Sequence, residues 1–239
     1  MSGITRRKFG LGLGVAGCAG LSGLPVSAME PIAIPAGPMR LSRRITRHLG
    51  DGKAIIVHRE WQVAFAAQGR GITVSGSQLM AKVDAPEQLA PIAKIEQERS
   101  TDGMWPILLS SNGHIVAAGD HALESDISAA AQTAQEMLAG TAQPASRQAR
   151  HKHYLAQMQQ ASAALIDQLP ADLFFPAGRD QQLVRAIDLP EGMKGEFELI
   201  YTAKSAPGGA WLSKATRRIT TRIGGDARTA QEDWVLAEI

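Results

Sequence analysis

The residues best suited to metal binding are two histidines two positions apart, His151 and His153, with Lys152 between them. On a helix, residues two apart point in different directions, so a shared metal ion would require a non-helical backbone at this point. We therefore predict no metal site and no cofactor.

Acid–base chemistry would draw on a second group of ionisable residues. His114 and His121 flank a turn close to Asp120, and Glu124 and Asp126 follow. A histidine and a carboxylate within reach of each other could act as general base and acid in a hydrolase that needs no metal. The same residues suit a solvated helix start, where acidic side chains favour the first turn. We predict no catalytic residue here and keep the hydrolase, using His114 and His121, as the alternative function.

Four arginines fall on the polar positions of two predicted strands: Arg40, Arg44, Arg218 and Arg222. On one face of a sheet they could bind an anionic ligand. A solvent-exposed face of an antiparallel sheet has the same polar pattern, and we favour that interpretation.

The elements that position these residues are organised around a predicted hairpin, Met39–Phe65. Apolar and polar residues alternate on both arms, as expected for half-buried strands. A three-residue turn at 50–52, with Gly52 in the left-handed region, would place Ile45 opposite Val57. We prefer it to a two-residue turn because it keeps the apolar residues of both arms on one face.

The same register places Leu41 opposite Trp61, and Arg43 opposite Arg59 on the apolar face. Two like charges there are unfavourable, so we expect an acidic partner or a position at the sheet rim. We expect the tryptophans to anchor the core: Trp61, Trp105, Trp211 and Trp234.

The next stretch predicts a strand over 71–83 and then a helix. Asp84 as N-cap, with Pro86 and Glu87 behind it, is a helix-start signal, and the helix would end near Arg99. It would bury three side chains: Leu89, Ile92 and Ala93. Asn112-Gly113 then predicts a tight turn between short strands at 105–109 and 114–118.

Two longer helices are predicted at about 122–139 and 145–169, where Ala and Gln dominate and β-branched residues are few. Leu173–Phe175 reads as an apolar segment that returns to the core. Strands follow at about 183–188, 195–204, 210–222 and 231–238. Together these elements predict an α+β fold, a curved antiparallel sheet of seven to nine strands with about three helices packed against one face.

One stretch of the sequence resembles another. Ser42–Gly50 aligns without gaps on Thr216–Gly224, and a tryptophan follows each at nearly the same offset, Trp61 and Trp234. A duplicated hairpin would give this pattern, and so would two polar-faced strands that converge on Arg, Thr and Ile.

The N-terminus carries a separate signal. Thr5-Arg6-Arg7-Lys8-Phe9 precedes a Gly- and Leu-rich apolar run that reaches Val26. This resembles a twin-arginine export signal, with Arg6, Arg7 and Phe9 as its motif. The resemblance implies export by the twin-arginine translocase. Because glycines and Pro25 interrupt the run, it is a poor transmembrane helix.

Two processing routes remain open. Val26-Ser27-Ala28 is a small-x-small site, so cleavage after Ala28 would leave Met29 as the N-terminus of a periplasmic protein. Alternatively, Val15–Cys18 resembles a lipobox, and lipidation of Cys18 would make an outer-membrane lipoprotein. We favour the first because the chain stays apolar after Cys18. The organisation is then a signal at 1–28, an extended Pro-containing lead-in at 29–38 and one domain at 39–239.

Composition excludes some functions of the mature chain. Residues 1–28 hold three of the 25 basic residues and none of the 23 acidic ones, so cleavage leaves the chain near neutrality. A general nucleic-acid partner is therefore not predicted. Without Cys18 the chain has no thiol for disulfides or catalysis.

Helices inserted between sheet halves resemble, in layout, periplasmic carriers of lipids and lipoproteins. The resemblance implies an apolar ligand or an envelope protein as partner, with membrane contact only through the signal or a lipid anchor. We therefore expect an exported, periplasmic, non-enzymatic binding or assembly module.

Overall fold

A computed structural model describes residues 32–49, 52–119, 168–189 and 192–239, all within one compact unit, Pro31–Ile239. In these ranges the chain forms nine strands and one α-helix. The strands are β1 (Met39–His48), β2 (Ala54–Gln68), β3 (Gly71–Asp84), β4 (Ile107–Leu109), β5 (Ile115–Ala118), β6 (Gln181–Asp188), β7 (Lys194–Ser205), β8 (Leu212–Ile223) and β9 (Asp226–Glu238). The helix α1 is Ala90–Glu98, between 3-10 turns at Glu87–Leu89 and Asp102–Met104.

All nine strands form one antiparallel sheet in the order β5-β4-β3-β2-β1-β9-β8-β7-β6. Neighbours in the sheet are neighbours in the sequence everywhere except at β1 and β9, whose pairing joins the two halves of the chain. The four central strands therefore come from two hairpins, β1–β2 and β8–β9, that lie side by side.

The predicted α+β class is wrong. The strand count lies within the predicted range, but the described part of the chain is nearly all sheet and has a single helix instead of about three. The segment 168–177 has no helix or strand, and Leu173–Phe175 returns to the core as predicted. Ile115 N donates to Ala171 O (2.7 Å) near one sheet edge, and Leu212 N donates to Phe174 O (2.8 Å) at β8. The helices predicted at 122–139 and 145–169 lie outside the described residues, except for the last two positions, which are not helical.

The first hairpin has the predicted register. Ile45 lies opposite Val57, and Gly52 has a φ of +80°, which glycine adopts without a steric penalty. Leu49 N donates to Lys53 O (2.8 Å) and closes the three-residue loop. The second predicted turn is also present, and Gly113 is required there because its φ is +79° and a Cβ would lie 2.7 Å from Phe175.

The helix start differs from the prediction. Asp84 is the last residue of β3, and no side chain caps either helical turn that follows. The ladder to Ile56 holds Asp84 in the sheet, so the capping box does not form. Leu89 is half-buried, but Ile92 is exposed, so α1 packs less of its surface than predicted.

The sheet has one buried face and one polar face. On β1 the odd-numbered residues from Met39 to Ile45 are buried, while Arg40 and Arg44 between them are exposed. The same alternation runs through β2, β8 and β9. We call the buried side the inner face and the other side the outer face.

Candidate functional site

The inner face holds two apolar clusters. The larger one surrounds Trp61 and Trp234 and includes the buried segment Leu173–Phe175. The smaller one contains five buried residues: Ile45, Leu189, Phe197, Ile219 and Ile223. Five apolar residues that remain half-buried pack against the smaller cluster: Val57, Ile187, Met193, Leu199 and Ala230. Half-buried apolar side chains also surround the larger cluster, among them Phe65 and Trp105, and Leu199 packs against both clusters.

A row of buried polar residues lies between the two clusters, and we call it the polar belt. Its members are Arg59 on β2, Arg43 on β1, Glu232 on β9, Arg217 on β8 and Tyr201 on β7. The ladder places Arg43 opposite Arg59, and Arg217 opposite both Glu232 and Tyr201. The belt therefore crosses five adjacent strands, with a two-residue offset between β1 and β9, where Arg43 lies opposite Trp234 and Glu232 opposite Ile45.

Glu232 is the centre of the belt. Its side chain is fully buried and accepts a hydrogen bond from Arg43 Nε on one side and from Arg217 Nε (2.7 Å) on the other. Arg217 also donates to Gln168 O (2.7 Å), and the Arg43 guanidinium lies 4.7 Å above the Trp234 ring. One carboxylate thus partners two buried guanidinium groups on neighbouring strands.

Burial and Glu232 act on Arg217 in opposite directions. Burial lowers the pKa of Arg217 from its usual value, and the negative charge of Glu232 raises it. Removing water disfavours a charge, and a paired carboxylate restores part of that loss. Glu232 therefore helps to keep Arg217 charged inside the protein.

Tyr201 ends the belt beside a second buried carboxylate. Asp172 Oδ2 accepts from Ala177 N (3.0 Å), while Asp172 Oδ1 and Tyr201 Oη form no hydrogen bond that meets normal geometry with the described residues. Burial, and then the nearby charge of Asp172, raises the pKa of Tyr201 well above its usual 10.0. Tyr201 is therefore protonated throughout the physiological range and is not a general base.

Arg59 connects the other end of the belt to α1. Its guanidinium donates to the Glu96 and Arg99 carbonyl oxygens (3.1 Å for Arg99) and to Glu96 Oε1 (3.2 Å). A cation at these last carbonyls satisfies groups that a helix leaves unpaired and complements its dipole. Arg59 also donates to Gln78 Oε1 (2.9 Å) on β3, so one buried side chain attaches the C-terminal end of α1 to the sheet.

The predicted opposition of Arg43 and Arg59 is confirmed, and each has an acidic partner as expected, Glu232 and Glu96 respectively. The sequence did not indicate Glu232 itself, which is 189 residues from Arg43.

The tryptophans anchor the core as predicted. Trp61 and Trp234 are buried and stack with ring centroids 6.4 Å apart. Trp61 Nε1 donates to Thr101 Oγ1 (2.8 Å). Trp105 and Trp211 are half-buried against the same cluster.

The four arginines predicted for a solvent-exposed face lie on the outer face, and all are exposed. Arg222 donates to Glu196 (2.7 Å) and Glu198 (3.2 Å), and these hydrogen bonds raise the pKa of Arg222. Arg218 donates to Gln231 (3.4 Å).

A serine–histidine pair that the sequence interpretation missed also lies on the outer face. Ser42 Oγ is 2.9 Å from His58 Nε2, and Glu60 Oε1 is 3.6 Å from the same nitrogen. A catalytic triad needs the acid on the opposite ring nitrogen, where it can orient the imidazole. This arrangement therefore lacks triad geometry.

Of the residues predicted for acid–base chemistry, only His114 is described, and its side chain is exposed at the β4–β5 turn. His121, Asp120, Glu124 and Asp126 lie outside the described residues, as do His151 and His153. Across the described ranges, no three His, Cys, Asp or Glu side chains are grouped so as to hold a metal ion.

The residues of the N-terminal signal also lie outside the described residues: Arg6, Arg7, Phe9, Cys18, Ala28 and Met29. The described helices include none that is long and apolar enough to cross a membrane.

Comparison with known proteins identifies no family. No family model matches the chain, and no curated protein matches it. A solved structure titled "Lipid-protein interactions in lipovitellin" matches 84% of this chain at 9% sequence identity with a TM-score of 0.34. The match spans 24% of the lipovitellin chain, and similarity at this level carries no argument about fold or function.

Proposed function

We propose that the protein is exported through the twin-arginine pathway and acts in the periplasm as a non-enzymatic binding module for an apolar ligand. The ligand would lie on the inner face of the sheet, against the smaller cluster around Phe197 and Ile219. An acyl chain is the chemistry that suits such a surface, since binding would remove apolar side chains from water.

The observation that carries this proposal is a difference between the two clusters within the described residues. Leu173–Phe175, which belongs to no strand, packs into the larger cluster. The smaller cluster consists of strand residues and the β6–β7 connection alone, with half-buried apolar side chains such as Val57 and Ile187 at its border. The charged polar belt separates the two, so an apolar ligand would be confined to the smaller cluster.

Two adjacent residues of β2 offer a matched test. Val57 is half-buried on the inner face beside the smaller cluster, and Ile56 is half-buried on the outer face. Val57→Gln adds a polar group where the ligand would bind, whereas Ile56→Gln makes the same change on the opposite face.

Native mass spectrometry of each protein, purified from the envelope of expressing bacteria, reports the bound ligand directly. We expect a one-to-one adduct with the mass of an acyl lipid on the wild type and on Ile56→Gln. Val57→Gln should bind the lipid about tenfold more weakly, which corresponds to about 1.4 kcal/mol, and should therefore show a clearly lower occupancy. Equal occupancy of both variants, or no adduct on the wild type, would contradict the proposal. A protein adduct instead of a lipid would also contradict it and would indicate an assembly role.

A further inference from the structure

Two arginines lie beside each other on the inner face, at the border of the smaller cluster. Arg47 follows Ile45 on the inner face of β1, and Arg228 precedes Ala230 on the inner face of β9. The ladder places Arg47 opposite Ala230, so Arg228 is its diagonal neighbour. Diagonal neighbours lie about 7–8 Å apart, within reach of long side chains. One small anion can therefore contact both guanidinium groups.

No acidic side chain lies directly opposite either arginine in the sheet. Arg47 lies opposite Ile55 on β2 as well as Ala230 on β9, and Arg228 lies opposite Thr221 on β8. Arg47 is half-buried and Arg228 is exposed, so a ligand can reach both from solvent. Two like charges as neighbours on one face repel each other. The pair is therefore a concentration of positive charge beside an apolar surface.

The two acids nearest to the pair on this face do not neutralise it. Glu232 is the other diagonal neighbour of Arg47, but its two oxygens accept hydrogen bonds from the two arginines that flank it in the polar belt. Asp226 is two residues from Arg228 on the same strand. None of the ion pairs among the described residues includes Arg47 or Arg228. Both guanidinium groups are therefore available to an external anion.

We propose that the ligand of the smaller cluster has an anionic head, a carboxylate or a phosphate, bound by Arg47 and Arg228. The acyl chain of the ligand would lie on the cluster beside them. Guanidinium groups form charge-assisted, bidentate hydrogen bonds with both kinds of anion, and the anion would offset the repulsion between the two arginines. This inference rests on the proposed binding function and adds the chemical class of the ligand.

Three probes separate the contribution of the head from that of the chain. Dodecyl phosphate has both, dodecyl maltoside has the same chain with an uncharged head, and inorganic phosphate is the anion alone. The protein is purified from the envelope and freed of bound lipid on a lipophilic resin. Isothermal titration calorimetry, with both amphiphiles below the concentration at which they form micelles, then measures each affinity. We expect the wild type to bind dodecyl phosphate about tenfold more tightly than dodecyl maltoside, and inorganic phosphate more weakly than either.

Two double variants locate the head. Arg47→Gln combined with Arg228→Gln should weaken the binding of dodecyl phosphate about tenfold and leave that of dodecyl maltoside unchanged, because only the charged head loses its partners. Arg40→Gln combined with Arg44→Gln is the matched control. It removes the same charge from exposed positions on the outer face of β1 and should change neither affinity.

The outcomes distinguish this inference from the function on which it rests. Equal affinities of the wild type for the two amphiphiles, or equal losses in the two double variants, would overturn the anionic head and leave the apolar binding site standing. Inorganic phosphate that binds as tightly as dodecyl phosphate would also overturn it, since the anion would then bind without the chain. Binding of neither amphiphile would contradict the proposed function itself, and the anionic head with it.

Discussion

Trp61 and Trp234 stack across the centre of the sheet, with ring centroids 6.4 Å apart and planes inclined by 24°. Trp61 belongs to the β1–β2 hairpin and Trp234 to the β8–β9 hairpin, and each is less than 2% exposed. The contact between them joins the two halves of the chain through their largest apolar side chains.

We expect Trp61→Ala to lower the free energy of unfolding by about 3–5 kcal/mol, as large-to-small substitutions in a core do. Trp211→Ala is the control. Trp211 is only half-buried, so its replacement should lower the free energy of unfolding by less. Chemical denaturation measures both. If instead Trp61 were a platform for a ligand, its loss would leave the stability of the unliganded protein unchanged and would weaken stabilisation by an envelope lipid extract.

The polar belt makes a second prediction. Glu232→Gln replaces the carboxylate shared by Arg43 and Arg217 with a neutral amide. Both buried guanidinium groups then lose this negatively charged partner. Breaking a buried ion pair from one side costs about 3–5 kcal/mol. Glu196→Gln removes one of two exposed partners of Arg222, which also pairs with Glu198, and should cost far less. Similar losses for the two variants would mean that the belt contributes no more to stability than a surface ion pair.

A third prediction concerns α1. Arg59→Met should raise amide hydrogen exchange in Ala90–Glu98 by about tenfold or more, because hydrogen bonds to a charged group contribute about 1.5–3 kcal/mol each. Lys94→Met is the control, since Lys94 makes only an exposed pair with Glu98 on the same helix. Unchanged exchange in α1 relative to β1 and β2 would show that Arg59 does not hold the helix to the sheet.

The export proposal predicts that replacing Arg6 and Arg7 together by lysine retains the precursor in the cytoplasm, because the two ions differ in geometry and hydrogen bonding and the twin-arginine receptor distinguishes them. Cell fractionation reports the distribution. The same exchange at Arg40 and Arg44, which are exposed on the sheet, should leave export intact. Normal export of the Arg6→Lys, Arg7→Lys variant would exclude a twin-arginine signal.

Local patterns predicted the hairpins correctly, because alternation and turn chemistry act between near neighbours. Gly52 and Gly113 have the positive φ angles that their turns require. The opposition of Arg43 and Arg59 even predicted acidic partners. The identity of Glu232 could not be predicted in the same way, because it depends on the pairing of β1 with β9, which lies far along the chain.

The fold class was wrong because an apolar sheet face was taken to require about three covering helices, whereas the described residues contain only α1, which begins after the predicted N-cap at Asp84. Asp84 is held in the β3 ladder, and Leu173–Phe175 covers much of that face without regular structure. Periodicity alone does not distinguish a short apolar segment of this kind from a buried helix segment.

The proposed apolar ligand should bind the inner face at the smaller cluster. Photo-cross-linking with a diazirine derivative of palmitic acid, followed by peptide mapping, tests where such a chain binds. We expect saturable labelling, competed by unlabelled palmitate, at half-buried inner-face positions such as Val57 and Leu199, with outer-face positions such as Ile200 and Val235 unlabelled. Labelling that does not saturate, or that is as strong on the outer face as on the inner face, would contradict binding at the smaller cluster.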